Sequence, residues 1–216
     1  MNATNRPNDE RWELPLGLGA ALLALAAYVA TMCPTLNFID SGELAAVCAT
    51  LGVSHPTGYP LFTLAGWLFT KLPLGLSVIA KLNLMAAIFV SLALVVYFWC
   101  MAYYLEPERV SGGLGKRFLQ RRLYRVTIPA LFGTLLLAFS PTYWSQGLAI
   151  EVYSLHLFLV ATVLLLFSKG MFPFLKGDSP DGGGRPGIYL FAFAFVLGLS
   201  FSNHMTTIFL APAFLY

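Results

Sequence analysis

Charge is what this sequence has least of. Asp, Glu, Lys and Arg make up only 11% of its 216 residues, whereas a soluble domain carries roughly a quarter. That shortage, beside 58% hydrophobic residues, excludes a water-soluble globular domain. No ten-residue apolar/polar alternation is present, which excludes a membrane β-barrel and leaves helices as the spanning element. Cysteine is scarce: Cys33, Cys48 and Cys100 have no metal-ligand spacing and form no even-numbered disulfide set. A Cys33–Cys48 bridge is the one pairing to weigh. A cleavable leader is not expected either. Residues 1–13 hold Arg6, Asp9, Glu10, Arg11 and Glu13, and no small-residue cleavage site precedes Cys33-Pro34. No internal repeat is visible. The fold class that remains is all-α, a polytopic membrane protein.

Apolar runs then define the organisation. After a cytoplasmic N-terminus over 1–14, spans are expected at about 15–33, 78–105, 126–143, 152–169 and 188–203, with an incomplete one at 205–216. Residues 34–77 form a long first external loop. Within it, 41–52 and 60–72 read as short helices, the second too short to cross a core of roughly 30 Å and therefore interfacial or re-entrant. The chain stops at Ala213-Phe214-Leu215-Tyr216 inside an apolar run, the pattern expected of the truncated N-terminal part of a longer protein. Placing the N-terminus and the loops 106–125 and 169–187 on one side puts eleven of the thirteen Lys and Arg residues there, leaving Lys71 and Lys81 opposite. The positive-inside rule makes that side cytoplasmic.

The remaining polar groups sort with this topology. Seven of ten acidic residues fall on the cytoplasmic side, while Asp40, Glu43 and Glu151 lie on the other with all three histidines, His55, His156 and His204. Ionisable groups at membrane helices are costly and tend to face a working cavity. Plainer readings stand beside this one. Asp40 and Glu43 have the spacing of a capping box for the 41–52 helix. His55-Pro56-Thr57-Gly58-Tyr59-Pro60 could be a rigid double turn. Glu151 could sit at headgroup level, Lys81 could snorkel, and each histidine could be a satisfied packing residue. A divalent cation on the carboxylates is the one cofactor to weigh, with no metal ligand assigned.

Three blocks carry a family resemblance. Pro34-Thr35, Asp40-Ser41-Gly42-Glu43 and Gly52 through Phe62 together resemble the opening signature of a membrane family once carried as a domain of unknown function and linked to protein O-mannosyltransferases. Glu151 through His156 looks like its second signature, and Gly198 through His204 like its third. The resemblance implies a GT-C-like transmembrane helix bundle with interfacial helices in the first external loop. It also implies transfer of a sugar, mannose by preference, from a polyprenyl-phosphate carrier to a protein Ser/Thr hydroxyl. The site would face away from the cytoplasm, in a bacterium the periplasmic side of the inner membrane.

Asp40 is the residue the resemblance places near the acceptor, where a general base is required. Position suggests donor or substrate contacts for the rest. Lys81 would meet the lipid phosphate, with Lys71 or His55 assisting; Tyr59 would pack on the sugar; Glu43, Glu151, His156 and His204 complete the set. The expected partners are the lipid-linked donor, a protein acceptor, the bilayer and further membrane proteins, with no nucleic acid. The alternative is a non-enzymatic transporter or flippase, or a structural subunit of a membrane complex.

Overall fold

The computed structural model describes residues 13–37, 40–105, 122–175 and 186–215. The expected cytoplasmic tail and most of the two basic loops lie outside these. Helix α1 (Glu13–Thr31) is followed by α2 (Ser41–Thr50) and α3 (Pro60–Thr70). Next come α4 (Val78–Leu105), a π-turn at Leu123–Thr127 running into α5 (Ile128–Ala138), and the short α6 (Pro141–Ser145). Two long helices follow, α7 (Val152–Leu175) and α8 (Pro186–Asn203); a 3-10 turn (Met205–Leu210) and α9 (Ala211–Leu215) complete the order. No strand occurs among the described residues.

By length and composition α4, α7 (as Val152–Pro173) and α8 can cross a bilayer; Pro15–Thr31 and Leu123–Ala138 are shorter apolar helices. The chain is an integral membrane protein. Helix α7 continues six residues past the expected end at 169, because Lys169-Gly170 interrupts the hydropathy of the run without breaking its backbone. The last stretch, 205–216, begins as a 3-10 turn after an extended His204 rather than as one continuous α-helix.

Helix α4 is the hub: α1, α3, α5 and α7 pack on it, and α8 packs on α7. At the α1–α4 seam Ala21, Ala24, Ala87 and Ala93 are buried. Small side chains let the backbones approach closely where lipid supplies no hydrophobic drive between helices. Tyr28 and Tyr143, both in this seam, donate to the Ala138 and Val90 carbonyls, so their hydroxyls are satisfied inside it.

The short helices α2 and α3 are anchored to this frame. Leu44, Cys48 and Phe62 pack with Leu82, Met85, Ile150 and Leu159 in one core. Gly66 makes the α2–α3 approach possible, since a Cβ there would lie 2.3 Å from Cys48 Sγ. The bridge to Cys33 is not formed: the cysteines are free thiols, and Cys48 faces Gly66 instead.

Candidate functional site: an acid–imidazole cluster at one end of the bundle

A buried asparagine frames the site. Asn83 on α4, fully buried, donates through Nδ2 to the carbonyls of Cys33 (2.8 Å) and Thr35 (3.3 Å). Its Oδ1 accepts the Ile150 N–H at 2.8 Å. One side chain thus ties the segment leading to Asp40 to the segment leading to Glu151. A backbone bond from Cys33 N–H to the Leu148 carbonyl (2.7 Å) reinforces the tie. The chain then turns at Asn37, whose N–H donates to Ser41 Oγ at 2.9 Å.

Asp40 occupies the N-cap of α2, but its carboxylate makes no capping bond. Nor does Glu43 reach back to it, so the capping box does not form. Glu43 instead accepts from the His55 backbone N–H (2.6 Å) and binds His55 Nδ1 (3.0 Å). Two donors from a residue twelve positions on outcompete the single local amide, and they hold the Glu43 carboxyl below the ordinary carboxylate range, the backbone bond contributing most. His55 Nε2 meets the Tyr59 hydroxyl at 3.1 Å and lies 4.0 Å from Asp40 Oδ2. The loop carrying His55 is bounded by two non-glycine residues in the left-handed region, Leu51 (φ 56°) and Tyr59 (φ 45°). Each costs roughly 1–2 kcal/mol, a strain that persists where surrounding contacts over-determine it.

Those contacts meet at Tyr59, which is buried. Its ring stacks on His204 (centroids 5.6 Å apart, planes within 5°) and stands edge-on to His55. Burial first, and then the nearby Tyr153, Asp40, Glu151 and Glu43, raise the Tyr59 pKa, so its hydroxyl remains a donor. Behind it, His204 lies 5.0 Å from the Tyr153 ring and 5.3 Å from the His156 ring. The Thr206 hydroxyl bridges His204 Nδ1 (2.7 Å) and His156 Nε2 (3.0 Å). The Thr206 N–H also donates to His204 Nδ1, which is therefore the unprotonated nitrogen of that ring. Glu151 precedes α7, within electrostatic reach of Asp40 and His55. Burial raises its pKa, and the Val152 N–H pulls it partly back.

Seven of the nine expected residues therefore gather at one end: Asp40, Glu43, His55, Tyr59, Glu151, His156 and His204. The lysines are engaged elsewhere. Lys81 Nζ donates to the Thr70 carbonyl at the C-terminus of α3 (2.9 Å), and exposed Lys71 places Nζ 5.2 Å from the Trp67 ring centre. Sequence reasoning missed Asn83 as a frame, and it missed Tyr153 and Thr206 altogether. Tyr153 stands one helical turn before His156, a spacing that would have revealed it.

Asp40, Glu43 and His55 offer donor atoms within 4.8 Å of one another, near enough to gather round a divalent cation. Glu43 and His55 are already bonded to each other, and Tyr59 occupies the remaining imidazole nitrogen. A cation there would take the place of the Glu43–His55 bond. On the outer side of the same loop an open recess of about 320 Å³ runs between Leu51–Val53 and Pro60–Leu64, lined mostly by apolar groups.

Fold and cluster together define an all-α membrane protein that holds carboxylates and imidazoles at one end of its apolar helices. The sequence profile described as Protein O-mannosyl-transferase TMEM260 N-terminal domain matches residues 40–216, and the chain belongs to that family. The match opens on Asp40 and covers every clustered residue. Among curated proteins, Protein O-mannosyl-transferase tmem260 of Dictyostelium discoideum is 30% identical over 146 residues, covering 64% of this chain and 15% of its own length. Protein O-mannosyl-transferase TMEM260 of Mus musculus is 32% identical over 142 residues, 65% of this chain and 17% of its own length. The chain thus spans about a sixth of the curated relatives it matches. No solved structure matches it.

Proposed function

We propose that this chain carries the catalytic end of a GT-C-type protein O-mannosyltransferase, which moves mannose from a polyprenyl-phosphate carrier to a Ser/Thr hydroxyl on the extracytoplasmic side. The observation that carries this reading is the Asp40 carboxylate: it heads α2 without capping it, is 46% exposed, and lies 4.0 Å from a His55 ring that is bonded to Glu43. Membership in a family whose relatives are named for O-mannosyl transfer supplies the reaction class.

In this reading Asp40 takes the proton of the acceptor hydroxyl while its oxygen attacks C1 of the sugar from the face opposite the phosphate. The C1–O bond breaks, the phosphate leaves with the electron pair, and the anomeric centre inverts. Positive charge is needed where the phosphate departs. Lys71 is exposed at the far end of α3 from Tyr59, and Lys81 would first have to release the Thr70 carbonyl. The Tyr59–His204 stack and the half-buried Glu151 border the place where the sugar would sit, Glu151 offering a hydrogen-bonding group to its hydroxyls. The apolar recess beside α3 suits the first units of the polyprenyl tail.

The test is mannose transfer from a synthetic polyprenyl-phospho-mannose to a Ser/Thr peptide in membranes bearing the full-length protein, with Asp40→Asn alongside. Transfer by wild type and its loss in Asp40→Asn are expected. Retained transfer in Asp40→Asn removes the base assignment. No transfer by wild type favours a transporter or structural subunit.

A further inference from the structure

General-base catalysis leaves a proton on Asp40 that must be removed before the next turnover, and the imidazole nearest that carboxylate is His55, Nε2 4.0 Å from Oδ2. A carboxylate only accepts, so the 3.0 Å contact with Glu43 requires a proton on His55 Nδ1. Nε2 then carries the lone pair, and it receives the Tyr59 hydroxyl hydrogen at 3.1 Å. That same nitrogen is the ring atom 4.0 Å from Asp40 Oδ2. The ring cannot turn over without giving up Glu43, which holds both the backbone N–H and Nδ1 of the same residue. Tyr59 is itself held by its stack on His204. A tautomer and an orientation are therefore fixed, with the Nε2 lone pair held by the Tyr59 hydroxyl and Asp40 Oδ2 the carboxylate oxygen next nearest to it, at 4.0 Å.

We propose that His55 is the positioning residue that receives the proton from Asp40, with Glu43 setting its tautomer and Tyr59 occupying Nε2 between turnovers. This rests on the reading of Asp40 as the base. The step balances without a co-reactant. Asp40 gains the acceptor's hydroxyl proton as the new C1–O bond forms and the phosphate departs. The Tyr59 hydroxyl then turns away and the Asp40 proton passes to Nε2, restoring the carboxylate. The imidazolium stands between the Asp40 and Glu43 carboxylates and loses its proton to water, to which the side chain is 38% exposed. The other titratable groups facing it are Glu151, from the start of α7, and the Tyr59 hydroxyl; His204 lies behind Tyr59.

The experiment uses the full-length protein in membranes, with the synthetic polyprenyl-phospho-mannose and Ser/Thr peptide described above. His55→Ala is expected to lower kcat by roughly 10- to 100-fold, with KM for both substrates unchanged within about twofold. Added imidazole should restore kcat in proportion to its free-base fraction as pH is varied. Glu43→Gln should give a smaller loss and shift the kcat–pH profile, since the tautomer is no longer imposed. His55→Gln, which retains a polar side chain, serves if His55→Ala fails to fold, and it should show the same kcat loss. Wild-type kcat and an unaltered pH profile in either His55 variant overturn the relay while leaving Asp40 as base. A loss carried by KM that imidazole does not relieve also overturns it. Absence of transfer by wild type overturns relay and function together.

Discussion

Tyr59 separates two unlike halves of the cluster. On one side Asp40, Glu43 and His55 are 38 to 46% exposed, with Glu43 and His55 joined by charge-assisted bonds. On the other, the half-buried His156, His204 and Thr206 meet between α7 and the turn after α8, joined by neutral bonds. In the first half the Glu43–His55 bonds are made and only Asp40 is left with open capacity. In the second, His156 Nδ1 and the neighbouring Asn203 amide are buried without a partner. The half with the carboxylates can hold charge and exchange protons with solvent; the half with the two histidines fixes ring positions and retains unused polar capacity. Chemistry and shape are thus divided between halves that share a single residue.

The division can be broken from either side. Asp40→Asn should have the largest effect, a loss of transfer by about 10²- to 10⁴-fold with thermal stability unchanged, because Asp40 makes no cap bond. Tyr59→Ala should damage both halves, costing about 3 kcal/mol of stability as a buried aromatic, read as a lower melting midpoint of the solubilised full-length protein. Asn83→Leu removes the frame rather than a member. Unpaired Ile150 N–H and Cys33 carbonyl groups should cost about 1–3 kcal/mol, with Asn83→Asp intermediate because it still accepts from Ile150. Tyr59→Phe keeps the stack and loses one bond, a penalty of about 1 kcal/mol.

The smallest effect separates two carboxyls by pH. Glu43 is lowered by its bonds from His55, so its contribution to stability is complete above the unfolded value near 4.5 and is lost as pH falls through its lower folded value. Glu151 runs the other way. Burial raises its folded value, so its effect favours the native state in acid and diminishes as pH rises through that value. On acidification Glu151 should protonate first and the Glu43 clasp open afterwards. The transfer–pH profile of Glu151→Gln should lack the upper acid step, while hydrogen exchange at the His55 amide should accelerate only below it.

Much of the architecture was legible because hydropathy is a long-range average: residues 78–105 are apolar throughout and fold as one helix over Val78–Leu105. The gathering of Asp40, Glu151 and His204 was expected from topology, since it needs only which ends of which helices share a side. The Asp40–Glu43 spacing was misread for a physical reason. An acid three residues after an N-cap looks local, and nothing in the sequence weighs it against a histidine brought round by a strained turn. Asn83 carries no signal as one polar group in an apolar run, and Thr206 none because Ser202, Asn203 and Thr207 around it are equally polar. Lys81 was placed by position alone, which could not register the carbonyl at the end of α3 that captures it.

The reach of Asn83, 50 residues back to Cys33 and 67 forward to Ile150, has a consequence for biosynthesis. A chain made from its N-terminus completes the Asp40 loop well before Ile150 has left the ribosome. Through that interval Asn83 can hold the loop but not the segment before Glu151. The cluster is therefore a late product of chain growth, completed only when the segment between α6 and α7 arrives. A translation arrest before residue 150 would leave a nascent protein with Asp40 in place and its frame still open.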